Sequence, residues 1–289
     1  MIDQTYLKNN LITTILKGLG QIMLQENALT GFLFLIGIFY GSVFMGIGAI
    51  LSVFCGTMTA VLLKYNKTEI HQGLYGFSAA LVGVALLFYF EPALIVWIAV
   101  ILGSALATII QHFFIIKNIP VYTLPFILVT WLFLYLFHQI YPVPVSPLLT
   151  ADTTEGYNFA AVFKGFGQVI FQGSLFAGIA FLIGVFINSP ISGLYALAAS
   201  AIGALLASIC AVPTETIEMG LFGYNAVLCA IVFAGDQKTD GLWVLIATAL
   251  AEGIALLMSA NLLIQLTFPF VAATWVTLAI KNFAIKTSV

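Results

Sequence analysis

The residues of this chain that can exchange hydrogen bonds with a solute are neutral, and they occur in pairs at a nearly fixed spacing. Amides and hydroxyls both donate and accept, so they can replace the water around a small polar molecule without charge or covalent chemistry. The pairs, 147 or 144 positions apart, are Gln21 with Gln168, Gln25 with Gln172, Ser78 with Asn225, Thr123 with Thr267, and Thr130 with Thr274. Helix packing is the alternative role, since Ser and Thr commonly bond the backbone of their own helix.

Charged and sulfur-containing residues do not follow this spacing. Glu26 and most other glutamates lie at the ends of apolar segments, where they are typical of solvated caps. Glu252 alone is embedded in an apolar segment, and we interpret it as a partnered structural group or a helix-end residue. We predict Cys55, Cys210 and Cys229 to be small core residues rather than a disulfide or a metal site. The sequence therefore predicts no cofactor and no metal.

The paired residues belong to a tandem duplication. GLYGFSAAL at 73–81 recurs as GLFGYNAVL at 220–228, and KGLGQIMLQ at 17–25 recurs as KGFGQVIFQ at 164–172. The spacing is 147 positions for these segments and becomes 144 near the ends of the halves, where TLPFILVTW matches TFPFVAATW. Each motif thus occurs once per half.

The duplication predicts the domain boundaries. We expect a first repeat at residues 1–140 and a second at 159–289, joined by a linker at 141–158 that contains three prolines. Such a proline-rich stretch between apolar segments is typical of an extramembrane connection.

The composition is that of an integral membrane protein. The chain is 62% hydrophobic and only 7% charged, which leaves too few ionic groups for a water-facing surface. Three stretches contain no charged residue, and each is longer than the roughly 20 residues that cross a bilayer. They lie between Glu26 and Lys64, between Glu91 and Lys117, and between Lys164 and Glu215. The lipid bilayer is therefore the expected environment. A net charge of −2 and no basic run argue against a nucleic-acid partner.

The order of apolar segments predicts the topology. Residues 11–25 and 28–44 are short apolar pieces that we interpret as one helix broken near residues 25–27. The Gly-rich start of 73–90 favours a half-helix that re-enters the membrane. We predict an all-α integral membrane protein with two halves, each of about five transmembrane helices plus one re-entrant half-helix. An odd number of membrane crossings in each half inserts the second half upside down and puts both chain termini on the same side of the membrane. The lysines near the termini predict that this side is the cytoplasm.

Two aromatic and leucine pairs lie at equivalent places in the halves. Phe77 and Leu81 are four residues apart and share one helix face, as do Tyr224 and Leu228. If inverted symmetry brings the aromatics together, they form a slot for a flat, neutral, polar solute. Taken alone, each pair is equally typical of an ordinary core.

These motifs resemble the bacterial urea transporters of the urea channel family. The likeness covers nearly the whole chain and includes the family signature, present as IPVYTLPF at 119–126 and LIQLTFPF at 263–270. The first copy has Ile119 in place of leucine, and the second has Ile264 where the family has proline. The resemblance implies passive, channel-like conduction of urea through a neutral, oxygen-lined pore between the repeats. It also implies a homo-oligomer, which is a trimer if the chain assembles as the family does. The compact size and bare termini predict a location in the bacterial inner membrane.

The resemblance further implies the residues of the pore. Two solute-binding slots fall on Gln21, Ile22, Leu24, Phe77 and Leu81 in one half, and on Gln168, Val169, Phe171, Tyr224 and Leu228 in the other. A constriction between the slots falls on Thr130 and Thr274. Leu24 departs from the aromatic residue usual at its position, and Tyr224 adds a hydroxyl to a ring that is usually phenylalanine.

Two other classes of protein remain as alternatives. A proton- or sodium-coupled carrier for a small neutral amide or an amine would need a titratable group on its path, for which Glu252 is the one candidate. An intramembrane enzyme would need a nucleophile with a base or a metal cluster, and no such grouping recurs or has ligand spacing. We therefore predict a transporter rather than an enzyme.

Overall fold

The computed structural model describes residues 4–147 and 159–287, with side chains described from residue 10 to residue 284. The chain folds as two compact units, Met1–Leu149 and Thr150–Val289. Residues 148–158 of the predicted linker lie outside the described residues. Within the described ranges the structure is helical, and β-pairing is limited to one isolated bridge between Phe90 and Val145.

The first unit combines long helices with a short buried one. Its helices are α1 (Gln4–Gly20), α2 (Ala28–Gly41), α3 (Val43–Leu62), α4 (Lys67–His71), α5 (Phe77–Tyr89), α6 (Leu94–Ile116) and α7 (Leu124–Tyr135), with a 3-10 turn at Gln21–Met23 and a π-helical turn at Leu136–Ile140. Helices α3 and α6 are long and apolar enough to cross a bilayer. Helix α5 has 13 residues and a length of about 20 Å, too short for a hydrocarbon core of about 30 Å. The sequence predicts a half-helix at this position.

The second unit repeats this order. Its helices are α8 (Ala160–Gln168), α9 (Leu175–Asn188), α10 (Pro190–Ile209), α11 (Thr214–Glu218), α12 (Tyr224–Phe233), α13 (Asp240–Ala260) and α14 (Phe268–Thr287). Helices α10 and α13 are the membrane-length members, and α12, with 10 residues, is the counterpart of α5. The prediction of an all-helical membrane protein is confirmed, while the number of crossings and the inversion of the second half stay predictions.

The break between α1 and α2 lies where the sequence predicts it. The two helices meet at an angle of 76°. Leu24 ends the 3-10 turn in the left-handed conformation, and the side chain of Asn27 caps α2 by accepting hydrogen bonds from the N–H groups of Leu29 and Thr30. The cap satisfies backbone donors that a broken helix would otherwise leave without partners.

The backbones of the two units share unusual torsion angles at equivalent residues. Among the described residues, eight that are not glycine have positive φ, between 46° and 59°. They form four pairs at the spacing of the duplication, Leu24 with Phe171, Lys64 with Ala211, Asn118 with Leu262, and Tyr122 with Leu266. Because this region is sterically unfavourable for L-residues, the recurrence shows that both units have the same loop geometry.

A glycine before each short helix allows a close backbone approach. Gly73 has φ +80°, and a Cβ there would meet the backbone of Gly18 in α1. Gly220 has φ +79°, and its Cβ would lie 2.7 Å from the backbone nitrogen of Gly165 in α8. Because glycine has no Cβ, the turn before each short helix can pack against the backbone of the first helix of its unit.

The short helices form the centres of their units. Helix α5 contacts α3, α6 and α7, and every residue from Phe77 to Leu87 is buried. Helix α12 likewise contacts α10, α13 and α14. The outer faces of the long helices carry exposed apolar side chains, such as Leu102 at 60% exposure. Apolar groups on the outer faces and a buried short helix at the centre are typical of a protein solvated by lipid.

Candidate functional site

Two glutamine side chains connect the first helix of each unit to the start of its short helix. The Nε2 of Gln21 donates to the carbonyl of Gln72 at 3.0 Å, and the Nε2 of Gln168 donates to the carbonyl of Met219 at 2.7 Å. The acceptors occupy equivalent positions, one residue before Gly73 and Gly220. Because the nitrogen donates this hydrogen bond, the oxygen of each amide keeps its capacity to accept another one.

The second glutamine pair has a structural role. Gln25 and Gln172 are 2% and 1% exposed, and their Nε2 atoms donate to the carbonyls of Met23 and Ile170 at 2.8 and 3.0 Å. These carbonyls belong to the turn at the helix break. The recurrence of this pair therefore reflects the shared turn geometry.

The residues predicted to form the two slots lie at the start of the short helices. Phe77 and Tyr224 are 7% and 8% exposed, and Leu81 and Leu228 are fully buried. The hydroxyl of Tyr224 donates to the carbonyl of Leu266 at 2.7 Å. The additional hydroxyl of the second half is therefore satisfied within its own unit, and the ring remains the apolar group that a slot requires.

The neighbouring predicted residues differ in exposure. Ile22 and Val169 are 1% and 2% exposed and belong to the core around the helix break. Leu24 is 37% exposed, and Phe171 is partly buried. In the first unit the Gln21–Met23 turn contacts α5, so Gln21 and Ile22 lie beside the helix that carries Phe77 and Leu81.

The two threonines predicted to form the constriction are buried beside the short helices. Thr130, in α7, and Thr274, in α14, are both 0% exposed. The Oγ1 of Thr130 has no hydrogen-bond partner among the described residues. The Oγ1 of Thr274 lies 3.8 Å from the Sγ of Cys229, one residue after Leu228.

Two other buried threonine hydroxyls, in α3 and α14, bond the backbone of their own helix. Thr57 donates to the carbonyl of Val53, and Thr277 donates to that of Ala273, each at 2.8 Å. This is the usual arrangement for a threonine inside a helix. Neither Thr130 nor Thr248 of α13 follows it among the described residues. Of these two, Thr130 is the one at a position predicted for the constriction.

Two further recurring pairs are parts of the packing. Ser78 Oγ donates to the side chain of Gln111 at 3.3 Å, and Asn225 Oδ1 accepts from the N–H of Phe270 at 3.2 Å. Thr123 and Thr267 immediately precede α7 and α14, whose first turns each contain a proline. The family signature thus encodes a helix start, since proline is favoured in the first turn.

A polar cluster behind α5 has no signal in the repeat pattern. The hydroxyl of Tyr75 donates to the carboxylate of Glu69 at 2.5 Å and lies 2.8 Å from His112 Nδ1, while the ring of Tyr65 stacks on His112 with centroids 3.5 Å apart. Burial and the neighbouring Glu69 both raise the pKa of the Tyr75 phenol, so it stays protonated at physiological pH. The equivalent of Tyr75 in the second half is Phe222, which lies in an apolar cluster.

Replacing Tyr75 by phenylalanine should destabilise the protein by about 2 kcal/mol, because a hydrogen bond to a carboxylate is lost at a buried position. Phenylalanine fits the backbone, as Phe222 shows in the other half. Melting temperature in detergent measures the effect. Tyr135→Phe, at a tyrosine that is 61% exposed, is the matched control and should melt like the wild type. Equal melting of the Tyr75 variant would show that the cluster does not stabilise the unit.

The remaining predictions for single residues have mixed outcomes. Cys229 is buried, as expected of a core residue, whereas Cys210 is exposed. The core prediction for Cys210 is wrong because the residue follows the last turn of α10, beyond the packed face. Glu26 pairs with Lys17 at 2.7 Å at the helix break. Glu252 is 2% exposed, within α13.

Comparison with known proteins places these features in a family. Residues 12–282 match the sequence model of the family described as "Urea transporter". The match covers well over half of the 289 residues, and the chain belongs to the urea transporter family. It is accordingly a member of a transporter family rather than of an enzyme family, and it is a multi-pass membrane protein.

Curated relatives agree with this assignment. The proteins named "Urea transporter 1" from Ovis aries, Capra hircus and Mus musculus are each 26% identical to this chain over 242 residues. The aligned region covers 76% of this chain and 62% of each relative. The chain therefore spans about three fifths of the length of these mammalian relatives, and its bacterial origin stays a prediction.

Proposed function

We propose that this chain conducts urea passively, as a channel, past neutral hydrogen-bonding groups that each half supplies at equivalent positions. The observation that carries the proposal is the hydroxyl of Thr130. It is fully buried and has no partner among the described residues. A buried hydroxyl without a hydrogen bond costs roughly 1–3 kcal/mol. A solute that arrives with its own donors and acceptors would offset this cost.

The chemistry of urea suits the available groups. Urea carries one carbonyl and four N–H bonds, and it can leave water only where acceptors replace most of those contacts. In this proposal the oxygens of Gln21 and Gln168 accept from urea, and the bonds of their nitrogens to the carbonyls of Gln72 and Met219 support it by fixing the two amides. A hydroxyl such as that of Thr130 can either accept from a urea N–H or donate to its carbonyl.

Neutral walls favour neutral solutes. The buried leucines and aromatics at the start of α5 and α12 offer an ion no replacement for its hydration shell. Weak binding at several groups in succession allows a solute to leave as readily as it arrives. The proposal therefore includes urea, and possible small amide analogues, and excludes hydrated ions.

The arrangement in the membrane is part of the same proposal. We include inversion of the second half, both termini in the cytoplasm and a location in the inner membrane. We also include assembly as a homo-oligomer, for which the family resemblance implies a trimer. The odd number of crossings predicted for each half supports the inversion.

The substrate class is tested by solute selectivity in proteoliposomes. Stopped-flow light scattering should show urea permeability well above that of protein-free liposomes, while glycerol, which is not flat, and potassium should pass no faster than through lipid alone. Equal enhancement for glycerol would contradict a flat slot. An absence of urea enhancement in correctly folded protein would overturn the proposed function.

A coupled carrier is the second candidate, because one ionisable side chain, Glu252, is buried within a membrane-length helix. Such a carrier would move urea or another small amide faster when a proton or sodium gradient is imposed. The response of the flux to these gradients separates the two candidates.

A further inference from the structure

Glu252 occupies, in the second half, the position that Thr108 occupies in the first. The two residues are 144 positions apart, the spacing found near the ends of the halves. The buried faces of α6 and α13 coincide at this spacing. The matching buried pairs are Val100 with Val244, Gly103 with Ala247, Ser104 with Thr248, Ala107 with Ala251, and Gln111 with Ala255. The two helices therefore present equivalent faces to their units.

In the first half, Thr108 holds the turn before the short helix. Its hydroxyl donates to the carbonyl of Tyr75 at 3.0 Å, two residues before α5 begins. The bond forms beside Gly56 of α3, where a Cβ would lie 2.8 Å from Thr108 Oγ1 and 2.9 Å from the Tyr75 carbonyl oxygen. The absence of a side chain at Gly56 leaves the space in which these two oxygens meet.

The second half repeats this arrangement with a carboxyl group. Gly203 and Phe222 are the counterparts of Gly56 and Tyr75, each 147 positions later. A Cβ on Gly203 would contact the carbonyl oxygen of Phe222 and lie 3.1 Å from Oε1 of Glu252. An oxygen of Glu252 and the carbonyl oxygen of Phe222 thus both lie next to the Cβ position of Gly203, as the Thr108 hydroxyl and the Tyr75 carbonyl do at Gly56.

The surroundings of Glu252 do not suit a charged group. The residue is 2% exposed, and neither carboxyl oxygen has a hydrogen-bond partner among the described residues. Lys281, on the neighbouring α14, lies 4.0 Å from Asp240, which is twelve residues from Glu252 or about 18 Å along the helix. A carboxylate opposite a carbonyl would bring two acceptors together, without a donor among the described residues.

We propose that Glu252 is a neutral carboxylic acid whose hydroxyl donates to the carbonyl of Phe222, and that it thereby positions the start of α12 as Thr108 positions the start of α5. The part of this inference that concerns transport rests on the proposed function, since α12 carries Tyr224 and Leu228. Glu252 is a positioning residue and carries no charge through the transport cycle.

Substitutions that keep or remove the donor test this role. Glu252→Gln keeps the shape and offers an amide N–H to the carbonyl, whereas Glu252→Met keeps the length and offers none. We expect the glutamine variant to match the wild type in melting temperature and urea permeability. The methionine variant should melt lower and lose about tenfold in permeability, the factor that corresponds to one hydrogen bond to a buried carbonyl.

Two further variants show whether the halves are equivalent. Thr108→Val removes the donor in the first half and should reproduce the losses of the Glu252→Met variant. Thr248→Val removes a buried hydroxyl one turn away on α13 that has no hydrogen-bond partner among the described residues. It should melt and conduct like the wild type.

Infrared difference spectroscopy reports the protonation state directly. The carbonyl stretch of a neutral carboxylic acid should be present in the wild type and absent from Glu252→Gln. Its absence from the wild type would overturn the proposal, as would a glutamine variant no better than the methionine variant, or a methionine variant equal to the wild type. The infrared band and the order of the melting temperatures test the role of Glu252 even if the wild-type protein transports no urea. An absence of urea transport would instead contradict the proposed function.

Discussion

Replacing Thr130 and Thr274 together by valine should lower urea permeability by about a hundredfold. Each hydroxyl is fully buried beside a short helix, and valine preserves the shape while removing the hydrogen-bonding group. A urea molecule stripped of water would lose one hydrogen bond of about 1.4 kcal/mol at each position. Each such loss slows passage about tenfold. Stopped-flow light scattering of proteoliposomes at matched protein content measures the effect.

The same substitution separates a role in transport from a role in packing. Thr130→Val breaks no hydrogen bond among the described residues, so its melting temperature should equal or exceed that of the wild type. The double serine variant keeps both hydroxyls and should retain most of the permeability. Unchanged flux in the double valine variant would contradict an oxygen-lined constriction.

Replacing Gly73 by alanine should remove most of the folded protein. The residue has φ +80°, where an L side chain costs about 1–2 kcal/mol. Its Cβ would also meet the backbone of Gly18, which cannot rotate away as a side chain could. Overpacking of this kind costs about 1–3 kcal/mol more. The sum is a large part of a typical stability of 5–15 kcal/mol, and size-exclusion chromatography with thermal melting in detergent would detect the loss.

Gly253→Ala is the matched control for this prediction. It lies inside α13, and a Cβ there would have no atom within 4 Å. Alanine in a helix interior is favoured over glycine by about 0.5–1 kcal/mol, so this variant should melt at the same temperature or slightly higher. A Gly73→Ala protein that melts like Gly253→Ala would show that the contact between α1 and the turn before α5 is not required.

The helical architecture could be predicted from the sequence because its signals are local or repeated. The half-helix at α5 follows from its Gly-rich start and the Glu91-Pro92 stop, and the break before α2 follows from polar residues between two short apolar pieces. The duplication also identified Gln21 and Gln168 as equivalent. The structure adds that both amides bond a backbone carbonyl next to the short helix.

The distinct roles of chemically similar residues could not be predicted. Thr130 and Thr277 are both threonines in apolar helices, but only Thr277 bonds its own helix backbone. Gln25 recurs with Gln172 as regularly as Gln21 does with Gln168, yet its amide bonds the carbonyl of Met23 within the turn. These differences depend on which carbonyl each side chain meets after folding, and residue type and spacing do not encode that.

The cluster around Tyr75 was missed for a related reason. Its partner Glu69 is six residues away and His112 is 37 residues away. The second half has Phe222 and Leu256 at the positions of Tyr75 and His112, and the uncharged Thr216 at that of Glu69. A search for recurring polar residues cannot find a group that occurs in one half only. The same limit applied to Glu252, whose counterpart is a threonine rather than an acid.

Urea flux into proteoliposomes, measured with and without an imposed proton or sodium gradient, tests passive conduction most directly. The wild-type protein should give fast flux that shows little saturation and is unchanged by either gradient. The Glu252→Gln variant should behave in the same way. Flux that follows a gradient in the wild type, and loses that dependence in Glu252→Gln, would contradict a channel and identify a coupled carrier.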